Sequence, residues 1–361
     1  MTIRTAAELA PRAYRLRVLL AGTGLLAALS LYLTPASAGD AARRVASGAK
    51  YCTQTANLVR RACGLEADDS YLRAVAACIN FNDIAKRQAC TADARSAHHD
   101  SVLLCANQKA SRLQICAAVG EDRYDPDFTQ ARFETDYRNL SHPNRYMPLA
   151  IGNRWEYSGS GESVKIEILN RTKTIDGVKC IVQRDQVSKD GFIAEDTNDW
   201  FAQALDGSVW YCGEEVKDYE TFATDRPVSP ELVSIDGSFK VDRDLARPGI
   251  IFLANPQPGV TYREEVSLAN AEDVSQIVST TYRYGEDPEL DRFVPPALVQ
   301  LLCHGDCVVA NAYTAMAPDV IERKYYAPGI GFILQTVPTT GDTVQLVGCN
   351  FDSRCGSLPP P

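Results

Sequence analysis

Four groups of residues have types and spacings that could do chemistry: a short cysteine loop, a run of six earlier cysteines, an acidic cluster, and a set of tyrosines and tryptophans. Cys303-His304-Gly305-Asp306-Cys307 puts two thiols and an imidazole within five residues, the raw material of a metal or redox site. In an oxidising compartment, however, two thiols four apart oxidise and close a three-residue hairpin loop. Cys349 and Cys355 are placed to pair in the same way. Cys180 and Cys212 lie one expected strand apart, a spacing that does not decide their pairing. Cys52, Cys63, Cys78, Cys90, Cys105 and Cys116 follow one another at intervals of 11, 15, 12, 15 and 11. Zinc ligands normally come in pairs two to four residues apart. Those six cysteines contain no such pair, and the chain has no Cys-x-x-Cys and no Cys-x-x-Cys-His. The expectation is structural disulfides throughout, with no metal and no cofactor. The intervals read the same in both directions, so nested and neighbouring bridges remain equally open, and six cysteines allow 15 connectivities.

Glu195, Asp196 and Asp199 could form a calcium site or supply a glycosidase carboxylate. Asp196 and Asp199 differ by an odd number, so on a strand they point to opposite faces, and a solvated acidic face is the simpler expectation. Asp242 and Asp244 complete no calcium-loop pattern. Gly159-Ser160-Gly161-Glu162-Ser163 lacks the spacing of a nucleophile elbow, and only His142 and His304 lie beyond residue 120. The chain has no phosphate-binding Gly-rich motif. No catalytic residue is therefore assigned. Trp155, Tyr157, Trp200, Trp210, Tyr211, Tyr262, Tyr282, Tyr284, Tyr325 and Tyr326 fall on or beside expected strands. They fit a core with polar-tipped edges. The competing reading is an aromatic-lined mouth taking an apolar or sugar ligand, with Trp200, Tyr211, Glu322, Lys324 and Tyr325 as its contacts.

The elements that must carry these residues divide the chain. Arg4, Arg12, Arg15 and Arg17 precede an uncharged stretch from Val18 to Leu33, and Ala36-Ser37-Ala38 follows. This reads as a signal peptide over residues 1–38, cut before Gly39, with a periplasmic or secreted destination. Sixteen mostly apolar residues are short of the roughly 20 that span a bilayer, so no stable membrane span is expected after cleavage. Residues 39–120 contain no proline and no tryptophan, and 19 of residues 41–120 are alanine, the best helix former. Eleven residues are close to three helical turns, so cysteines at that spacing share a helix face. The expected module is a disulfide-stapled array of helical hairpins, with turns at 64–70, 80–83 and 98–100.

Residues 121–143 read as a linker and 144–361 as a β domain. Alternating runs at 163–169, 180–187, 192–202, 208–212, 260–268, 274–284, 307–314, 320–326, 330–337 and 343–349 are broken by Asp-Gly turns such as Asp176-Gly177, Asp190-Gly191 and Asp206-Gly207. The fold class is α+β in two domains, the second an antiparallel β-meander, curled or closed into a barrel. A short helix with prolines at its start is expected within 291–302.

Asn144-Arg-Tyr-Met-Pro-Leu149, Gly152-Asn-Arg-Trp-Glu-Tyr157, Glu195-Asp-Thr-Asn-Asp-Trp-Phe-Ala-Gln203, Asp206-Gly-Ser-Val-Trp-Tyr211, Arg247-Pro-Gly-Ile-Ile251 and Glu322-Arg-Lys-Tyr-Tyr-Ala-Pro-Gly-Ile-Gly331 together resemble a family of uncharacterised exported bacterial proteins with a β-rich domain. The likeness covers roughly residues 124–350. It implies export and one β domain, and it carries no activity; the helical cysteine module and the Cys303/Cys307 pair look like additions to it.

The whole chain carries a net charge of −9, against a general nucleic-acid binder, which needs a basic footprint. The charge is uneven. Residues 39–120 hold eleven Lys/Arg against seven Asp/Glu, whereas 121–361 hold 22 against 38. A contact between the basic helices and an acidic surface, of this chain or of a partner, is expected. The sequence thus points to an exported, non-enzymatic binding or structural protein. Its β domain would take a small apolar ligand or an envelope or secreted protein partner. The alternative is a hydrolase using paired carboxylates in that domain, which requires a second inward carboxylate about 5–10 Å from the first.

Overall fold

A computed structural model of the chain describes residues 50–361; the expected export segment, residues 1–38, lies outside them. The six-cysteine segment forms one long hairpin of two helices, α1 (Tyr51–Cys78) and α2 (Ile84–Val119). The turn at 80–83 is where the sequence puts it, and the Asp83 side chain caps α2 by accepting from the Lys86 amide at 2.8 Å. The turns expected at 64–70 and 98–100 are instead helical, so the array reduces to a single hairpin. One glycine in a helix costs only about 1 kcal/mol, which Gly64 alone cannot turn into a break. Asp69 pairs with Arg73 one turn on, and Asp68 reaches His98 of α2 at 2.8 Å, so these polar residues serve the hairpin's surface. Three nested disulfides cross it: Cys52–Cys116, Cys63–Cys105 and Cys78–Cys90. They supplement a thin core, since α1 buries only Ala56, Val59, Ala67 and Cys78.

The remainder is a 15-stranded antiparallel sheet. Its strands are β1 (Arg154–Gly159), β2 (Glu162–Ile175), β3 (Val178–Lys189), β4 (Phe192–Gln203), β5 (Val209–Glu215), β6 (Asp218–Glu220), β7 (Glu231–Ser234), β8 (Phe239–Lys240), β9 (Gly249–Phe252), β10 (Thr261–Arg263), β11 (Asp273–Tyr282), β12 (Cys307–Thr314), β13 (Ile321–Ala327), β14 (Gly331–Thr336) and β15 (Thr343–Cys349). Asp176 and Gly177 both have positive φ, as do Asp190 and Gly191, which is the turn geometry whose twist matches the flanking strands. The strand expected at 260–268 is cut to three residues because the Glu264 and Glu265 amides both turn to the Asp273 carbonyl.

The main path runs β10-β11-β12-β13-β14-β15-β1-β2-β3-β4-β5-β8. The pairing of β1 with β15 joins two meanders far apart in sequence, opposing Trp155 to Cys349. The sheet curls without closing into a barrel. Its two ends meet near Gly249, where a Cβ would sit 2.0 Å from the Glu264 carbonyl oxygen, and they are joined by an isolated Arg247–Val266 bridge and by the Asn270 side chain, bonded to Gly237 and Ser238, without a continuous ladder. The short helix α3 (Pro296–Leu302) has its prolines at the start, as expected, and buries Leu298, Val299 and Leu302. Residues 121–143 pack on the sheet: Phe133 meets the Trp210 ring edge-on at 5.9 Å, and the buried Tyr137 hydroxyl donates to the Lys179 carbonyl at 2.7 Å. No helix among the described residues is long and apolar enough to cross a membrane.

Candidate binding cavity

The curl forms a half-open cavity of about 210 Å³, walled by β1–β5, β13–β15 and the Met147-Pro148 approach to β1. Strand alternation decides what faces it. On β4 the inward positions are Glu195, Thr197, Asp199 and Phe201. Gln183 and Asp185 come from β3, Glu162, Val164 and Ile166 from β2, and Trp155 and Tyr157 from β1. On β5 a bulge interrupts the alternation: Phe201 opposes Tyr211 and Trp200 opposes Gly213, leaving Cys212 as the extra residue. Tyr211 and Glu214, three apart, can therefore both face inward, while Cys212 bonds Cys180.

The register places Asp199 directly opposite Glu214. Such partners have Cβ atoms about 4.5–5.5 Å apart, and like charges there repel. Asp199 accepts from the Tyr211 hydroxyl on one oxygen and from Gln183 Nε2 at 3.3 Å on the other. Thr197 Oγ1 donates to Glu195 Oε1 at 2.7 Å, and Lys189 Nζ lies 3.8 Å from Glu162 Oε1. Burial holds the Tyr211 phenol well above its ordinary pKa, helped by the negative charge of Asp199, Glu214 and Glu265; burial does the same for Tyr157, beside Asp185. The aromatic wall is fixed by Trp155 Nε1 donating to the Ile330 carbonyl at 2.8 Å and the Tyr157 hydroxyl to the Phe332 carbonyl at 3.0 Å. Five carboxylates, Glu162, Asp185, Glu195, Asp199 and Glu214, thus share the lining with one ammonium, Lys324. Lys324 Nζ is 3.7 Å from the buried Glu322 Oε2.

Of the five ligand contacts expected from sequence, Tyr211 and Lys324 line the cavity, and Glu322 sits behind Lys324. Trp200, at an outward position of β4, packs in a separate cluster with Trp210 and the Cys180–Cys212 bridge, with Lys173 Nζ 3.7 Å over its ring. Tyr325 also alternates away; its hydroxyl donates to the Leu290 carbonyl and its ring meets Tyr282. Trp155 and Tyr157, named among the strand aromatics but not among the expected contacts, form the wall with Phe332; Asp199, expected on a solvated face, faces inward, and sequence reasoning missed Asp185 and Glu214 as inward carboxylates. The odd spacing of Asp196 and Asp199 does separate them. Asp196 makes a two-pronged ion pair with Arg184 at 2.8 Å, while Asp199 is joined by groups from other strands. The available signal was the alternation of Glu195, Thr197, Asp199 and Phe201.

The Cys303–Cys307 and Cys349–Cys355 pairs are disulfides, so all twelve cysteines are bonded. Among the described residues no group of three His, Cys, Asp or Glu side chains could hold a metal ion. No protein-family model, curated protein or solved structure matches the chain.

Proposed function

We propose that this is a non-enzymatic binding protein of an oxidising, extracytoplasmic compartment, periplasmic or secreted, whose cavity takes a small amphipathic ligand with a cationic group. The observation that carries the reading is the lining: an aromatic and aliphatic wall around five carboxylates and a single lysine. Carboxylates and aromatic ring faces both attract an organic cation, and the apolar wall accepts its body. A cation also relieves the repulsion between the opposed Asp199 and Glu214. Six disulfides support the compartment. The family resemblance of residues 124–350, proposed on motif grounds, agrees with it.

The test uses 2-phenylethylamine and phenylacetate, of similar size and opposite charge, followed through fluorescence of Trp155 in the cavity wall. The amine should bind and phenylacetate should not. Asp199→Asn should weaken the amine at least about tenfold, the scale of one charge-assisted hydrogen bond. Equal binding of both compounds, or of neither, overturns the reading.

The opposed carboxylates favour a second reading, a glycoside hydrolase. Hydrolysis of an aryl glycoside that disappears in both Asp199→Asn and Glu214→Gln would install it in place of the first.

A further inference from the structure

A second cavity, of about 460 Å³, lies between the hairpin and the β domain. Leu58 of α1, Arg112 and Ile115 of α2, residues 122–125, and the β-domain residues Leu245, Arg247, Arg263 and Leu268 wall it. Unlike the acidic first cavity it carries a slight positive excess, four arginines against Asp122, Asp125 and Glu272. Arg112 is 4% exposed and spends Nε and Nη2 on Glu272, at 2.9 and 2.7 Å, while its buried Nη1 has no hydrogen-bond partner. Arg247 pairs with Asp125 at 3.2 Å, and Arg123 lies 3.9 Å over the Tyr51 ring. Arg263 makes no ion pair among the described residues, and its Nη2 donates only to Cys52 Sγ at 3.3 Å, a weak acceptor. Burial disfavours the charged form of Arg263, the penalty that a bound anion would relieve. Arg263 therefore brings guanidinium donors without an oxygen acceptor to the cavity, and Arg112 beside it keeps one buried donor unpaired, a costly state that an acceptor oxygen would relieve.

Its mouth combines exposed leucines with the charged Asp122, Arg123 and Asp125. Leu58, Leu245 and Leu268 are 68%, 84% and 52% exposed. Leu245 follows Asp244 in the left-handed region, at φ 64 and 55, a conformation uncommon for leucine, and it remains almost fully exposed at the rim. Strain of this kind persists where the surrounding structure imposes it, often at ligand clamps.

We propose that this cavity binds an amphipathic anion, a long-chain carboxylate whose head accepts from Arg112 and Arg263 and whose chain lies against Leu58, Leu245 and Leu268. A planar carboxylate suits the guanidinium fork, and the leucines lose exposed apolar surface when the chain settles on them.

The experiment is calorimetric titration of the disulfide-bonded protein with laurate, acetate and dodecyltrimethylammonium. Laurate should bind, whereas acetate, which lacks the chain, should not at the same concentrations; dodecyltrimethylammonium, which reverses the charge and suits the acidic first cavity, should give no heat that Arg263→Gln or Leu245→Asp removes. Arg263→Gln should weaken laurate at least about tenfold. Leu245→Asp, at an exposed position that folding does not need, should weaken it comparably, so the proposal stays testable if Arg263→Gln fails to fold. Asp199→Asn in the first cavity should leave laurate affinity unchanged. Failure of the unmodified protein to bind laurate, or binding that Leu245→Asp leaves intact, overturns the proposal, as does loss of laurate in Asp199→Asn alone.

Discussion

Tyr211 shows how single residues in this protein are held by their surroundings. Its hydroxyl donates to Asp199, its ring stacks on Phe201 at 4.9 Å between centroids, and Phe239 meets it edge-on at 5.2 Å. Burial and nearby carboxylates keep it neutral, and Tyr157 and Tyr262 are raised well above the ordinary phenol range by burial in the same way. A group whose pKa is higher folded than unfolded contributes stability that is complete below the unfolded value, about 10 for tyrosine, and is lost as pH rises through the folded value. Alkaline titration followed by tyrosinate absorbance should therefore show an early set ionising near pH 10 and a late set ionising only with loss of the circular dichroism signal. One early step taking every tyrosine, Tyr157, Tyr211 and Tyr262 included, with the fold intact would contradict the burial. That Tyr211 and Lys324 line the cavity was legible in the sequence, since their types combine an apolar body with a polar tip. Asp199 and Glu214 were not, because what makes them neighbours is the register of β4 against β5 with its extra residue, which no local pattern announces.

The elements were legible to different depths for physical reasons. Alanine content and the cysteine intervals specify helices with cysteines on one face, and the Asp83 cap marks their one break. The nested bridges were not decided, since the intervals are symmetric, and Gly64 and Asp68-Asp69 resemble a turn in sequence yet stay helical. The Asp-Gly turns fixed the early hairpins of the sheet, whereas the β1–β15 pairing, which gives the curl and hence the cavity, is non-local. The hairpin's dependence on its staples follows from its thin core. Removing the middle bridge by Cys63→Ala with Cys105→Ala opens a loop of 42 residues' separation and should cost the hairpin about 2–4 kcal/mol. Thermal melts at 222 nm should show a lowered helical transition, while near-ultraviolet signals from Trp155, Trp200 and Trp210, all in the β domain, hold. A helical transition unmoved by the double substitution would mean that packing alone holds α1 to α2.

At the scale of the whole molecule, the charge contrast between the halves is discharged at one buried point. Arg112 of α2 reaches Glu272 with two nitrogens, and the side chains are 5% and 6% exposed. Around that pair Gln108 Nε2 donates to the Met316 carbonyl at 3.1 Å, Arg112 Nη2 touches Met316 Sδ at 3.4 Å, and Ile115 packs on Val274 and Ala315. Glu272 also accepts from the Ala269 amide at 2.6 Å, which ties the pair to the loop before β11. A buried pair of this kind has modest net worth, because desolvation offsets much of its attraction, but breaking it leaves an uncompensated charge and costs about 3–5 kcal/mol. Glu272→Ala should therefore destabilise the contact on that scale and raise amide exchange along the end of α2, residues 108–119. Arg112→Met combined with Glu272→Met should recover most of the loss, since neither charge is then stranded. The same pair limits the second cavity: in the double substitution the stability returns but the guanidinium does not, so laurate binding should stay lost. Recovery of both together would show that Arg112 acts at the interface only as a strut, and would leave Arg263 as the anion's sole anchor.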